Sequence, residues 1–210
     1  TAQDEGGREA RPSFFSDAKR LIRADRNLAR YVAAMFLITI GMSFFNFQTA
    51  QSKDALGLTG GQLGIVTTIL YVSQTAGNLL WGWFAYRPSL LIGQAGFVLY
   101  LVLAFLARDA WLTYIMTAIY GLANAANALG SRNMVFHLCP YEERVGYYSL
   151  INMALTISAA VASMITGALI DWIGYEFSAL ACLGLTVPGL ALLLQVRERP
   201  PEAAKGEGEA

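Results

Sequence analysis

Polar side chains in the long apolar segments of this sequence recur at the spacing of one helix face. One segment places them at i, i+4, i+7 and i+11: Thr67, Tyr71, Gln74 and Asn78. A later segment repeats and extends this spacing: Thr113, Thr117, Tyr120, Asn124 and Asn127. Shorter sets occur in two more segments: Thr39, Ser43 and Asn46, then Asn152, Thr156, Ser163 and Thr166. Because each helical residue turns the chain by about 100°, each set predicts a single polar stripe.

These stripes supply carboxamides, hydroxyls and aromatic rings, and none of their residues is charged at neutral pH. Such groups can hydrogen-bond a neutral or zwitterionic solute or stack against an apolar one. None of them carries the carboxylate or imidazole that proton transfer near neutral pH normally requires, so any residue that transfers a proton is expected elsewhere. The single histidine, His137, is predicted to lie in a loop, and no H-E-x-x-H motif occurs. We therefore expect no catalytic residue, metal or cofactor, and no enzyme.

The composition points to a membrane protein. Charged residues make up 14% of the 210-residue chain and hydrophobic residues 55%, whereas globular proteins average about 25% charged residues. The formal net charge is zero, which argues against a nucleic-acid partner. The two cysteines, Cys139 and Cys182, do not suggest a disulfide framework.

Six segments are apolar enough to cross a bilayer, which takes about 20 residues per helix. They lie at about residues 31–48, 63–84, 90–106, 111–129, 147–170 and 177–196. None contains a charged residue or histidine, and their continuous apolar runs favour helices over the alternating strands of a barrel. The sequence therefore predicts an all-α membrane protein with six transmembrane helices. The third and sixth spans carry few polar side chains and are expected to face lipid.

The basic residues predict the orientation. Thirteen of the fifteen Lys and Arg residues fall in the N-terminal segment, the second and fourth loops and the C-terminal tail; the exceptions are Lys53 and Arg108. By the positive-inside rule, both termini are expected in the cytoplasm of a multi-pass protein of the plasma (inner) membrane.

The two ends are predicted to lie outside the bilayer. Residues 1–30 form a basic cytoplasmic linker, in which residues 12–27 fit either an amphipathic helix on the inner leaflet or a solvated segment. Residues 197–210 lack apolar periodicity and are expected to be a disordered tail. Since the chain begins with Thr1 rather than Met, we expect a fragment or a processed protein.

Three loop motifs carry a family resemblance. Gly82 to Arg87 resembles a G-x-x-x-D-R loop, with Tyr86 in the place of the aspartate. The connection from Ser131 to Arg144, which includes Pro140, is similar to a P-x-x-x-R loop, and Gly167 to Gly174 resembles a glycine and aspartate pattern at a helix end. In this order, the motifs resemble the C-terminal six-helix half of a major facilitator superfamily transporter, over about residues 8–200.

The resemblance implies a half-bundle built from a 3+3 inverted repeat, and alternating-access transport of a small solute. The first, second, fourth and fifth spans would line the cavity, in agreement with the polar stripes, and a missing N-terminal six-helix half would complete it within the lipid bilayer. The candidate substrate-cavity residues are Thr39, Ser43, Asn46, Tyr71, Gln74, Asn78, Thr117, Tyr120, Asn124, Asn127, Asn152 and Thr156. The candidate gating or motif-like loop residues are Gly82, Arg87, Pro140 and Arg144.

Other interpretations of the same residues stay open. Stripes of Ser, Thr and Asn also serve as hydrogen bonds between helices, with small residues permitting close packing. A six-span permease subunit of an ATP-driven transporter is the alternative function; its ATPase would be a separate chain, because no G-x-x-x-x-G-K-[ST] motif occurs. Without the aspartate at Tyr86, Arg87 either pairs with a cytoplasmic helix end or anchors the loop on the positive side.

Overall fold

The computed structural model describes residues 22–23, 25–138 and 144–197, and within these ranges it contains helices and no strand. The helices follow in this order: α1 Arg26–Met42, a 3-10 segment Ser43–Phe47, α2 Gln48–Asp54, α3 Gly60–Trp81, α4 Tyr86–Leu106, α5 Ala110–Leu138 and α6 Arg144–Leu194. Pro140, most of the predicted amphipathic segment and most of the predicted tail lie outside the described residues.

The 51-residue helix α6 is interrupted at Gly174, where the backbone has φ 78° and ψ 171°. Glycine adopts this conformation readily because it has no Cβ. An unbroken helix of this length would extend about 75 Å, far more than one bilayer. The break divides it into residues 144–173 (α6a) and 175–194 (α6b), and the predicted fifth and sixth spans fall on either side.

Local sequence explains where two of the helices begin. The Asp25 carboxylate caps α1 by accepting hydrogen bonds from the backbone N–H groups of Asn27 and Leu28, at 2.9 and 3.1 Å. Thr59 and Gln62 form a capping box at the start of α3. Both caps supply acceptors for the N–H groups that a first helical turn leaves unbonded.

Four of the described helical stretches are long and apolar enough to cross a membrane: Arg26–Asp54, Gly60–Trp81, Tyr86–Leu106 and Arg144–Leu194. The 29-residue helix α5 is long enough but is not among these four, since its threonines and asparagines lower its mean hydropathy. The described part of the chain is thus an all-α membrane protein.

The first helix packs closely against both arms of α6. A methyl group at Gly41 would overlap Thr186 Oγ1 of α6b, and one at Gly189 would come within 2.9 Å of Ile38 Cγ1 of α1. On the other arm, Ser43 Oγ lies 3.2 Å from the Ala162 carbonyl oxygen of α6a. Small residues at the crossing allow this approach.

Helix α5 lies between α3 and α4. Gly121 of α5 lies against Ser73 of α3, and Gly77 of α3 lies against Ala125 of α5. Because residue numbers increase together in these two contacts, α3 and α5 run parallel. On its other side α5 contacts α4, where a methyl group at Gly93 would come within 2.9 Å of the backbone nitrogen of Asn127.

The helix of the third predicted span, α4, turns its polar side chains inward. Gln94 and Tyr100 have no exposed surface, while Ile92 and Leu99 are about half exposed. In contrast, only 17% of the apolar 18-residue stretch of α3 is buried inside this chain, whereas 44% of the corresponding stretch of α4 is buried. The helix that carries the clearest polar stripe is therefore also the one least covered by its own chain.

Candidate substrate-binding site

The packing of α3 on α5 brings three carboxamides to one groove. Gln74 and Asn78 directly follow Ser73 and Gly77, two α3 residues that contact α5. Asn124 directly precedes Ala125, which contacts Gly77. On two parallel helices that face each other, the residue after a contact on one helix and the residue before a contact on the other both lie about 100° away from the contact, on the same side. Gln74, Asn78 and Asn124, which we call the amide triad, therefore border a single groove between α3 and α5.

The amide triad is accessible and has unused hydrogen-bonding capacity. Asn78 is exposed, and Gln74 and Asn124 are half-buried. Within the described residues, the three carboxamides make no hydrogen bond. An unpaired amide away from water costs about 1–3 kcal/mol, so its hydrogen-bond partners are expected outside the described residues. Tyr71, with 64% of its side chain exposed, extends the same face of α3.

Asn127 occupies a different position from the other amide of its stripe. Its Oδ1 accepts a hydrogen bond of 2.6 Å from Nε2 of Gln94 on α4. Asn127 therefore links α4 and α5 instead of bordering the groove with the amide triad.

The candidates in the first part of the α5 stripe are covered. Thr117 has no exposed surface; it accepts a hydrogen bond of 2.5 Å from Gln48 Nε2 and donates one of 2.7 Å to the Thr113 carbonyl. The Tyr120 ring is 8% exposed and stacks on Phe45, with 3.7 Å between centroids and 5° between planes. Phe45 of the 3-10 segment and Gln48 of α2 thus contact two candidate side chains that are buried.

The candidates of the first predicted span, Thr39 in α1 with Ser43 and Asn46 in the 3-10 segment, are divided between buried and exposed positions. Ser43 is buried, with its Oγ 2.6 Å from Thr166 Oγ1, and the Thr39 hydroxyl donates to the Met35 carbonyl at 2.7 Å. Asn46 is exposed, and its Nδ2 donates to Ser163 Oγ of α6a at 3.2 Å. Ser43 thus joins the 3-10 segment to α6a at a buried position, and Asn46 joins the two at an exposed position.

The α6a candidates face outward from this chain. Asn152 and Thr156 are both exposed, and the Thr156 hydroxyl donates to the Asn152 carbonyl at 2.9 Å. The Asn152 carboxamide makes no hydrogen bond in the described ranges, which leaves it available to a partner outside this chain.

A model of the Major Facilitator Superfamily matches residues 31–210. The chain belongs to the major facilitator superfamily. This confirms the predicted family, whose members are secondary membrane transporters. No curated protein matches the chain.

The loops that resemble motifs of the superfamily make contacts between helix ends. Arg87 Nη2 lies 3.5 Å from the Val196 carbonyl oxygen after α6b, and the Arg144 guanidinium lies 5.8 Å from the centre of the Phe136 ring. Gly82 is exposed and its N–H donates to the Asn78 carbonyl at 3.3 Å. Pro140 lies outside the described residues.

Tyr86, which stands where the superfamily loop has aspartate, makes a contact that the sequence did not indicate. Its ring stacks on His137, with 4.2 Å between centroids and 8° between planes. The start of α4 and the end of α5 are thus joined by two aromatic rings.

Sequence reasoning also missed Gln48, which lies at the last position of the first predicted span. It bonds Thr117, and its Oε1 accepts a hydrogen bond of 3.2 Å from the Tyr100 hydroxyl. A signal was present, because Gln48, Gln51 and Ser52 fall at i, i+3 and i+4, a polar helix face just beyond the apolar run.

Proposed function

We propose that this chain is one half of a secondary transporter that moves a small neutral or zwitterionic solute by alternating access. The observation that carries the proposal is the amide triad: three accessible carboxamides with unused hydrogen-bonding capacity, on one side of two parallel membrane helices. Such groups recognise a solute through its own donors and acceptors. The superfamily match supports the transport class, and the triad supports the class of solute.

The helix contacts support a 3+3 repeat of six spans, namely α1, α3 and α4, then α5, α6a and α6b. In the first set, α1 contacts α6b, and the 3-10 segment that continues α1 contacts α6a. In the second set, α5 contacts α3 and α4 in the same way. A repeat related by an axis in the membrane plane generates this reciprocal pattern.

A second six-helix half would complete the cavity. Helix α3 exposes two different faces, one polar with Tyr71 and Asn78 and one apolar with Ile65, Val72 and Leu79. Lipid can cover the apolar face, but a stripe of unpaired carboxamides in hydrocarbon is costly. The polar face therefore fits a water-filled cavity between two halves.

Cysteine labelling in membrane vesicles tests the cavity without knowledge of the solute. Asn78→Cys and Leu79→Cys are neighbours on α3, both exposed from this chain, and would be made in the native protein with Cys139→Ser and Cys182→Ala. A membrane-impermeant maleimide should label Asn78→Cys readily and Leu79→Cys slowly. Alternating access further predicts that Thr67→Cys and Asn78→Cys change their labelling rates in opposite directions when one conformation is trapped. Equal labelling at 78 and 79 would contradict the cavity assignment.

A further inference from the structure

Helix α2 buries a polar face that the proposed transport function does not use. Gln48, Gln51 and Ser52 are 1%, 2% and 0% exposed, and their spacing places them on one side of the helix. The charged residues of this helix, Lys53 and Asp54, are exposed. We call the three buried residues the α2 polar cluster.

Hydrogen bonding in the α2 polar cluster is incomplete. Gln48 is satisfied at both ends, by Thr117 and by the Tyr100 hydroxyl. In contrast, Gln51 Oε1 and Ser52 Oγ have no hydrogen-bond partner among the described residues. The backbone carbonyls of the same two residues are bonded, to the N–H groups of Ala55 and Leu58 at 2.9 and 3.1 Å. The unmet capacity therefore belongs to the side chains alone.

We propose that the α2 polar cluster binds ordered water, which donates to Gln51 Oε1 and exchanges hydrogen bonds with Ser52 Oγ. A carboxamide oxygen is purely an acceptor, so its partner must be a donor. Buried water commonly satisfies such groups, with two to four polar partners for each molecule. A metal cation fits poorly, since the side chains of the cluster are all neutral and the Gln48 oxygen is already bonded to Tyr100.

Radiolytic hydroxyl-radical labelling of the native protein in detergent tests for this water directly. Radicals form from water next to a side chain, so a buried ring beside bound water is oxidised. Tyr100 and Tyr31 both have no exposed surface, but Tyr100 is hydrogen-bonded to a member of the α2 polar cluster, Gln48, whereas the hydroxyl of Tyr31 faces the Ser131 carbonyl. We expect Tyr100 to be oxidised several-fold faster than Tyr31, and the double variant Gln51→Met with Ser52→Ala to remove the difference. Equal rates in the unsubstituted protein, or no change in the variant, would overturn the proposal.

Thermal unfolding gives an independent test, because the direction of the change in Tm of Gln51→Met differs between a hydrated and a dry site. If water satisfies Gln51 Oε1, Gln51→Met removes a made hydrogen bond and lowers Tm. If the site is dry, the same change removes an unpaired carbonyl, and Tm stays the same or rises, which would contradict the proposal.

The measurement is repeated with choline chloride in place of sodium chloride to test for a bound cation. A fall in Tm of the unsubstituted protein on sodium removal, absent in Gln51→Met, would identify a cation and also overturn the water assignment. These outcomes do not depend on solute transport.

Discussion

Gly77 of α3 and Ala125 of α5 meet without room for another carbon: a methyl group at Gly77 would lie 2.8 Å from the Ala125 Cβ. This contact sets the distance between the two helices and thereby the width of the groove that the amide triad borders. Positions of α3 outside such contacts, such as Gly64, have room for a larger side chain.

Gly77→Val should separate α3 from α5 and destabilise the protein. Overpacking of a close contact typically costs about 1–3 kcal/mol, so Tm measured in detergent should fall. Gly64→Val is the matched control on the same helix, because nothing lies within 4 Å of a methyl group there. A fall in Tm of equal size in both variants would mean that helix propensity, and not the contact, is responsible.

Gln74→Ala and Asn124→Ala should each weaken binding of the transported solute, because each removes both a donor and an acceptor from the groove. Loss of one hydrogen-bonding group costs about 1.4 kcal/mol, which is about ten-fold in apparent affinity. Uptake by the native protein in vesicles, measured over a range of solute concentrations, gives this affinity. Asn133→Ala serves as the control, since it is an exposed carboxamide near the end of α5. Unchanged affinity and rate in both triad variants would exclude the triad from the binding site.

Gly174→Ala should strain the break between α6a and α6b. At φ 78° and ψ 171° Gly174 lies in a backbone region that is essentially restricted to glycine, where a side chain costs about 1–3 kcal/mol. Gly184→Ala is the control within α6b, where a methyl group again has nothing within 4 Å and helix propensity favours alanine. The free energy of unfolding in denaturant should fall for the first variant and be maintained or increased for the second. Equal stability of the two variants would show that the break relaxes without strain.

The polar stripes could be predicted from sequence because their periodicity is a property of the helix itself. Which members of a stripe are accessible could not, because that depends on what passes over it. Thr117 and Asn124 lie on the same predicted stripe, yet Thr117 is buried and bonded to Gln48 of α2, whereas Asn124 is half-buried. The family could be predicted from the order of its loop motifs, whereas the stacking of Tyr86 on His137 depends on where α4 and α5 end in space.

Thr117→Val distinguishes a structural role of this residue from a direct contact with solute. The change leaves the buried Gln48 amide without its acceptor, which should cost about 1–3 kcal/mol of stability. Adding Gln48→Leu removes the unpaired amide as well, so the double variant should be less destabilised than the sum of the two single variants. Thermal unfolding of the four proteins measures this coupling. Additive effects on Tm, together with a loss of solute affinity in Thr117→Val, would instead show that the hydroxyl serves the solute, and that α2 moves away from α5 during transport.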